Sequence, residues 1–351
     1  MTPQTAGAAK QFAAGFLTAA GGLAALCFAA VTLIDPYGVS ALRLPMARAL
    51  MDQNQRFMYP QIVKSRRYDS AVFGSSTIRL IDPAGLSQTL GGSFAMLGVN
   101  AASVREQIRI ADAFRRGTAA AGALVWGIDT LWCDTSASLP APVAARVFPE
   151  WLWGQPALKT FTGNFSMRAL EISGRMVLYS AGRLPERIRA DGYEVFTPPE
   201  SNYDLGRARF HLWKGGDAAS LKPLSPPVRL SETELAALAF PAVALLDHAL
   251  AAFPEAVKIL VFPPVHFSGQ PQPGSREAAL LEACKTRVAA MAKRHAALVI
   301  DFMIGSSVTS EDANYWDPLH YRLPVAAKLP AAIAAAARQR EDDPQGFYQI
   351  R

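Results

Sequence analysis

The apolar and polar positions of the chain begin with one long apolar run. No residue from 11 to 34 carries a charge, and about 24 residues at 1.5 Å each reach roughly 36 Å, enough to cross a bilayer with some tilt. This predicts a transmembrane anchor over 11–34 behind a short cytoplasmic tail, 1–10. A cleaved signal peptide and a buried core helix are the alternatives, and the length of the run speaks against the first. Asp35-Pro36-Tyr37-Gly38 then stops the helix. Positions 35–67 read as a connector in which Arg56, Lys64, Arg66 and Arg67 are solvated or lie near lipid head groups.

Beyond 67, short apolar runs alternate with amphipathic stretches. Runs at 71–73, 94–99, 121–128, 257–262 and 298–302 predict five strands, with helices at 103–116, 231–253, 276–295 and 324–338. Strands alternating with helices imply a parallel sheet with right-handed crossovers. The alternation fails between about 135 and 231, where Trp151, Trp153, Phe161, Phe165, Tyr179, Tyr193, Phe196 and Trp213 crowd among prolines. That stretch is too long for a connection. It predicts an insertion with its own small core, helical at 167–181 and irregular at 193–211, that covers the mouth of a site or faces a partner. Positions 341–351 read as a tail.

Composition narrows the classes. Half of the 351 residues are hydrophobic and only 18% are charged, which excludes a disordered chain. The net charge of +6 comes from scattered residues rather than a basic block, so no nucleic-acid partner is expected. Cys27 falls in the anchor, leaving Cys133 and Cys284. A disulfide between them is allowed in an oxidising compartment, but nothing in the sequence requires it. Zinc spacings, a phosphate loop and a dinucleotide fingerprint are all missing from the sequence, so no cofactor is expected.

The chemistry gathers in two stretches. Ala71-Val72-Phe73-Gly74-Ser75-Ser76-Thr77 runs from a buried strand into a small-residue turn, at the carboxyl end where open α/β sheets place their ligands. A serine there is a candidate nucleophile, with plain turn chemistry as the simpler alternative. In Asp317-Pro318-Leu319-His320, Asp followed by Pro favours a type I turn that would bring carboxylate and imidazole together. An orienting acid, a base and a serine make up triad logic. His266 follows the run at 257–262, as a pocket residue or alternative base, or as a loop histidine without a task.

Together, and in this order, Gly74-Ser75-Ser76 and Asp317-Pro318-Leu319-His320 resemble the SGNH/GDSL hydrolase superfamily. The likeness is to its membrane-anchored bacterial envelope type, similar to alginate-acetylation-like polysaccharide O-acetylation proteins, whose juncture after the anchor Asp35-Pro36-Tyr37-Gly38 also resembles. The resemblance implies an α/β, SGNH (flavodoxin-like) three-layer domain over 68–340 with a five-stranded parallel sheet. Ser76 would be the nucleophile, His320 the base and Asp317 its orienter. Oxyanion donors are implied at Gly98 or Ala101, with Asn100 beside them, and at Trp126-Gly127-Ile128-Asp129, where Asp129 stands in place of the family's Asn. An ionised carboxylate only accepts hydrogen bonds. Asp129 therefore fits a donor role only if held protonated, and otherwise caps a helix or fixes a loop.

The implied function is that of an extracytoplasmic serine O-acyltransferase or esterase acting on cell-envelope or secreted polysaccharide. It would be held in the bacterial inner membrane by its single helix, with the main domain in the periplasm and a membrane-bound O-acyltransferase as partner. Charge beside the anchor does not orient it, so this placement comes from the resemblance. Two alternatives stay open: a catalytically inactive scaffold binding a glycan or that acyltransferase, which Asp129 favours, and a lipid-directed esterase.

Overall fold

The computed structural model describes residues 3–40, 42–46, 48–136, 139, 146–154, 163–215 and 222–351. The chain forms two compact units. One comprises Met1–Gln61 with Pro149–Arg189, the other Ile62–Phe148 with Ala190–Arg351.

The first unit is built on the helix Pro3–Ile34. Its stretch Gly7–Ile34 has a mean hydropathy of 2.1 and is the one helix among the described residues that is long and apolar enough to cross a membrane. Phe12, Phe16, Leu17, Leu23 and Leu26 are exposed along it, a row of apolar side chains left uncovered by the described residues. Lys10, assigned to the preceding tail, lies inside the helix. Asp35 ends the helix in a left-handed conformation, φ 54°. Its buried carboxylate accepts the N–H groups of Val39 and Ser40 at 2.7 and 3.0 Å and pairs with Arg48 at 2.9 Å. Tyr37 is buried against Phe57 and Trp151, and desolvation pushes its hydroxyl up to about 12. The helix Met167–Ser180 packs on the long helix, with Phe165 5.7 Å from Phe28. Part of the expected connector is helical, over Gln55–Ser65. Lys64, Arg66 and Arg67 are exposed as anticipated, but Arg56 is buried, and its carbonyl accepts the Trp153 indole N–H at 2.9 Å.

The second unit carries the sheet. Its strands are β1 (Ser70–Phe73), β2 (Phe94–Met96), β3 (Ala123–Gly127), β4 (Val257–Phe262), β5 (Leu298–Asp301) and β6 (Gln349–Ile350), in the order β2-β1-β3-β4-β5-β6. β1 to β5 are parallel, whereas β6 runs antiparallel to β5 with Ile300 opposite Ile350. This corrects the expected SGNH (flavodoxin-like) domain with a five-stranded parallel sheet: the chain is an α/β domain with a six-stranded mixed sheet. The sixth strand comes from the supposed tail. Asp343 accepts the N–H groups of Gln345 and Phe347, the chain turns back, and Tyr348 is buried. Arg351 then pairs with Asp301 at 2.6 Å and with Glu282.

Side chains alternate across the sheet as the pleat requires. Val72, Met96, Val125, Ile259, Val261 and Ile300 join one core cluster with Leu86, Leu329 and Ile333. Phe73, Trp126, Phe114 and Trp132 form an aromatic group, with Phe73 and Trp126 centroids 5.0 Å apart and the Trp126 indole N–H donating to Gln107. Two further expectations change. Position 241 is a proline, which opens a helix but cannot continue one, so the predicted helix at 231–253 splits into Glu232–Ala237 and Pro241–Ala251. The segment read as irregular contains the helix Leu205–Trp213, whose first turn Asp204 caps by accepting the Arg207 N–H.

Candidate functional site

From β1 the chain runs toward β2 on one side of the sheet, and from β3 toward β4 and β5 on the other. The crevice outside the carboxyl ends of β1 and β3 is therefore where an open α/β sheet leaves room for a ligand. Gly74 and Gly127 end these two strands around Ile78. A Cβ on Gly74, at φ 149°, would stand 2.7 Å from Ile78 Cγ2, and one on Gly127 2.9 Å from Ile78 Cδ1. Their missing side chains let the 3-10 turn Ser76–Ile78 settle over the strand ends. Ser76 is half-buried at the start of this turn. Its N–H, first in the turn, has no hydrogen-bond partner among the described residues.

The other side of the site comes from the loop after β5. Tyr315 and Tyr321 bridge its base, the Tyr315 hydroxyl donates to Pro264 O, and the His266 N–H donates to Pro318 O at 2.9 Å. The loop thus rests on the segment that follows β4. Within it, the Asp317 carboxylate accepts the N–H groups of Leu319 at 2.8 Å and His320 at 3.0 Å. The turn is closed by a side chain rather than by the backbone bond of the expected type I turn. The same carboxylate lies 2.7 and 3.0 Å from His320 Nδ1, and His320 Nε2 lies 2.9 Å from Ser76 Oγ. A carboxylate can only accept, so Nδ1 carries the ring hydrogen and Nε2 accepts from the Ser76 hydroxyl. Burial alone would raise the Asp317 carboxyl. The hydrogen bonds and charge of His320, with the two backbone N–H groups, outweigh burial and hold it below the usual carboxylate range.

Ser76 and Leu319 border a cavity of about 390 Å3, lined also by Ala101, Asp129, Leu131, Val265 and Met303 among others. A larger hollow of about 510 Å3 beside the helix Arg276–Arg294 contains no serine or histidine. The chemistry therefore belongs to the smaller cavity.

The remaining sequence candidates divide. Ala101 lines the cavity at φ 49°, an uncommon conformation for a residue with a Cβ. Asn100 is turned toward Arg79, whose guanidinium donates to Asn100 Oδ1 at 2.7 Å. Gly98 is not in the cavity wall, and its bare Cα leaves room for Arg79, since a Cβ there would stand 3.2 Å from Arg79 Cγ. Asp129 is half-buried in the wall and caps the 3-10 turn Thr130–Cys133 by accepting the Leu131 N–H at 3.1 Å. Desolvation pushes its carboxyl above the usual range, against the lowering effect of hydrogen bonds from Ser75 and Leu131. His266 stands apart. It is fully buried, its Nδ1 is 2.8 Å from Ser268 Oγ and 3.1 Å from Ser268 N, and its ring lies against Trp213 and Tyr315. Burial lowers its pKa, and it supports the loop of Asp317 and His320 instead of facing the cavity.

Sequence reasoning missed two contributors and left a third, the disulfide between Cys133 and Cys284, open. The Ser76 N–H was implicit in the turn but not singled out. Phe196, from the insertion, meets the His320 ring edge to face at 5.5 Å. Cys133, at the end of the turn that Asp129 caps, is joined to Cys284 on the helix Arg276–Arg294, with Cα atoms 5.5 Å apart. Among the described residues no group of three or more His, Cys, Asp or Glu side chains could hold a metal ion. The chain matches no protein-family model and no curated protein.

Proposed function

We propose that this chain is a membrane-anchored serine enzyme that transfers or hydrolyses an acyl group, with Ser76 as nucleophile, His320 as base and Asp317 as orienter. The observation that carries the reading is the hydrogen-bonded chain from Ser76 Oγ through His320 to Asp317 at the rim of a cavity. Ser76 Oγ attacks the acyl carbonyl carbon while its proton passes to His320 Nε2. The bond to the leaving oxygen then breaks, and the imidazolium protonates that oxygen. An acceptor hydroxyl, from a sugar or from water, next gives its proton to His320 Nε2 as its oxygen attacks the acyl carbon, and the imidazolium returns that proton to Ser76 Oγ as the serine–acyl bond breaks. The Ser76 N–H would serve the developing oxyanion, and Asp129 would join it in the proton-bearing form that burial favours.

The acceptor we propose is envelope or secreted polysaccharide, and the compartment the periplasm. The disulfide supports an oxidising compartment. The acceptor, and a membrane-bound O-acyltransferase as donor partner, rest on the resemblance of the two motifs alone. The test is labelling of the full-length chain in detergent with a serine-directed phosphonate. Modification at Ser76 that vanishes in Ser76→Ala and in His320→Ala is the expected result. A folded chain that stays unlabelled would favour the scaffold reading.

A further inference from the structure

Arg79 carries a full charge yet has no exposed surface. It caps the 3-10 turn that begins at Ser76, and its N–H donates to Ser76 O. Burying a cation is costly unless its donors find partners. Its partners include Asn100 Oδ1 at 2.7 Å, and Glu194 Oε2 at 2.9 Å, 115 residues away. The guanidinium also lies 4.8 Å from the centroid of the Phe196 ring, and Phe196 is the ring that meets His320. The segment that delivers Glu194 and Phe196 is fixed to the edge of β2. Met96 N–H donates to Asp191 O at 2.7 Å, and Gly192, at φ 88°, comes so close that a Cβ would stand 2.3 Å from Met96 O.

We propose that Glu194, Arg79 and Asn100 form a positioning network for the serine site, an inference that rests on the function proposed above. Arg79 ties the nucleophile turn to the loop bearing Asn100 and Ala101, and Phe196 separates its guanidinium from the imidazole. Glu194 has an electrostatic task. It offsets the charge of Arg79 that reaches His320, one aromatic ring away. The other charged groups around His320 are Asp317 on its own turn, Asp129 in the cavity wall, Arg322 paired with Glu200, and Asp312 behind the loop, 3.3 Å from His266. None of these takes part in the Arg79 pair.

The signs follow from charge. Glu194→Gln removes a negative charge beside Arg79, which disfavours the imidazolium and makes His320 titrate at lower pH. Arg79→Gln removes the positive charge and moves the titration to higher pH. Each shift should be about half a unit or more, in opposite directions. Residues that merely filled space would not produce opposed shifts.

The experiment is an NMR titration of the His320 imidazole in the full-length chain in detergent, its signal identified by loss in His320→Gln. Wild type, Glu194→Gln, Arg79→Gln and Arg79→Lys are compared, with phosphonate labelling at Ser76 followed against pH in parallel. Opposed shifts support the network, as does an Arg79→Lys chain that keeps the wild-type titration but labels several-fold more slowly. An unchanged His320 titration in folded Glu194→Gln, a nearly isosteric variant, overturns the network whether or not Arg79→Gln folds. A wild-type chain that shows opposed shifts in its variants but never labels overturns the serine-enzyme reading and leaves the electrostatic coupling standing.

Discussion

His320 Nε2 lies 2.9 Å from Ser76 Oγ across 244 residues of chain. Neither residue reaches that position by itself. Ser76 is placed by two glycines that let its turn close over the ends of β1 and β3. His320 is placed by a carboxylate three residues earlier and by a loop resting on the segment after β4.

Loss of the base should be severe. His320→Ala is expected to slow phosphonate labelling by roughly 10^2 to 10^4-fold, the usual range for general-base catalysis. Ser76→Ala should abolish it, and mass spectrometry of the labelled peptide reads both. Melting temperatures within a few degrees of wild type would show that the losses are chemical.

Asp317 should leave a pH signature in stability. Its carboxyl is held below the ordinary range in the fold, so its contribution is present above the unfolded pKa, near about 3.9, and disappears as pH falls through the lower folded value. The melting temperature of Asp317→Asn should therefore trail wild type at pH 7 and converge on it in acid. A gap that stays constant down to pH 2 would contradict this account.

For Asp129 the sign reverses. Between the ordinary carboxylate pKa and the raised folded value, the native state binds more protons than the unfolded state, so stability falls as pH rises through that window. Asp129→Asn removes this penalty. Thermal melts should show the variant gaining more at pH 7 than at pH 3.5. Labelling at pH 7 should also quicken if charge on Asp129 opposes the oxyanion, and a decrease would mean that the carboxylate itself has a task.

Cys133 and Cys284 close a loop of 151 residues. Urea unfolding with and without reductant should reveal a loss of about 2–5 kcal/mol on reduction. Thr130 and Leu131 precede Cys133 in the cavity wall, so reduction should also slow labelling at Ser76 before the unit unfolds.

Asp301 is buried between Lys285 at 2.8 Å and Arg351 at 2.6 Å. Burial draws the Lys285 amine below its usual range while Asp301 opposes that change. Asp301→Ala would strand the buried amine, at a cost of about 3–5 kcal/mol in chemical denaturation. The matched Lys285→Met change should cost less, because Asp301 retains Arg351.

What could be read from the sequence was mostly local. Val72 and Phe73 announce a buried strand, Gly74 its sharp end, and Asp317 and His320 stand only three residues apart. The parallel strands β1 to β5 were legible because each is a short apolar run followed by a helix-like stretch. What could not be read depends on partners far away in the chain. Gln349 and Ile350 become a strand only because β5 offers an edge and Arg351 finds Asp301, and two residues carry no periodicity. Arg79 looked like an ordinary residue after a serine turn, since Glu194 lies 115 positions away in a segment without helix or strand pattern. Asp129 was recognised as the departure in its motif, but whether it carried a proton depended on burial that no motif displays.

Both margins of the sheet are occupied. On the outer side of β2, Met96 N–H is taken by Asp191, and Phe94 N–H donates to Ser87 Oγ. On the other margin, β6 covers β5, and its Ile350 N–H donates to Asp342. Edges closed in this way offer no template on which a foreign strand could extend the sheet. Among the described residues, recognition of this unit is therefore expected to run through side chains and surface shape, so its specificity can be altered by point substitution without disturbing the sheet.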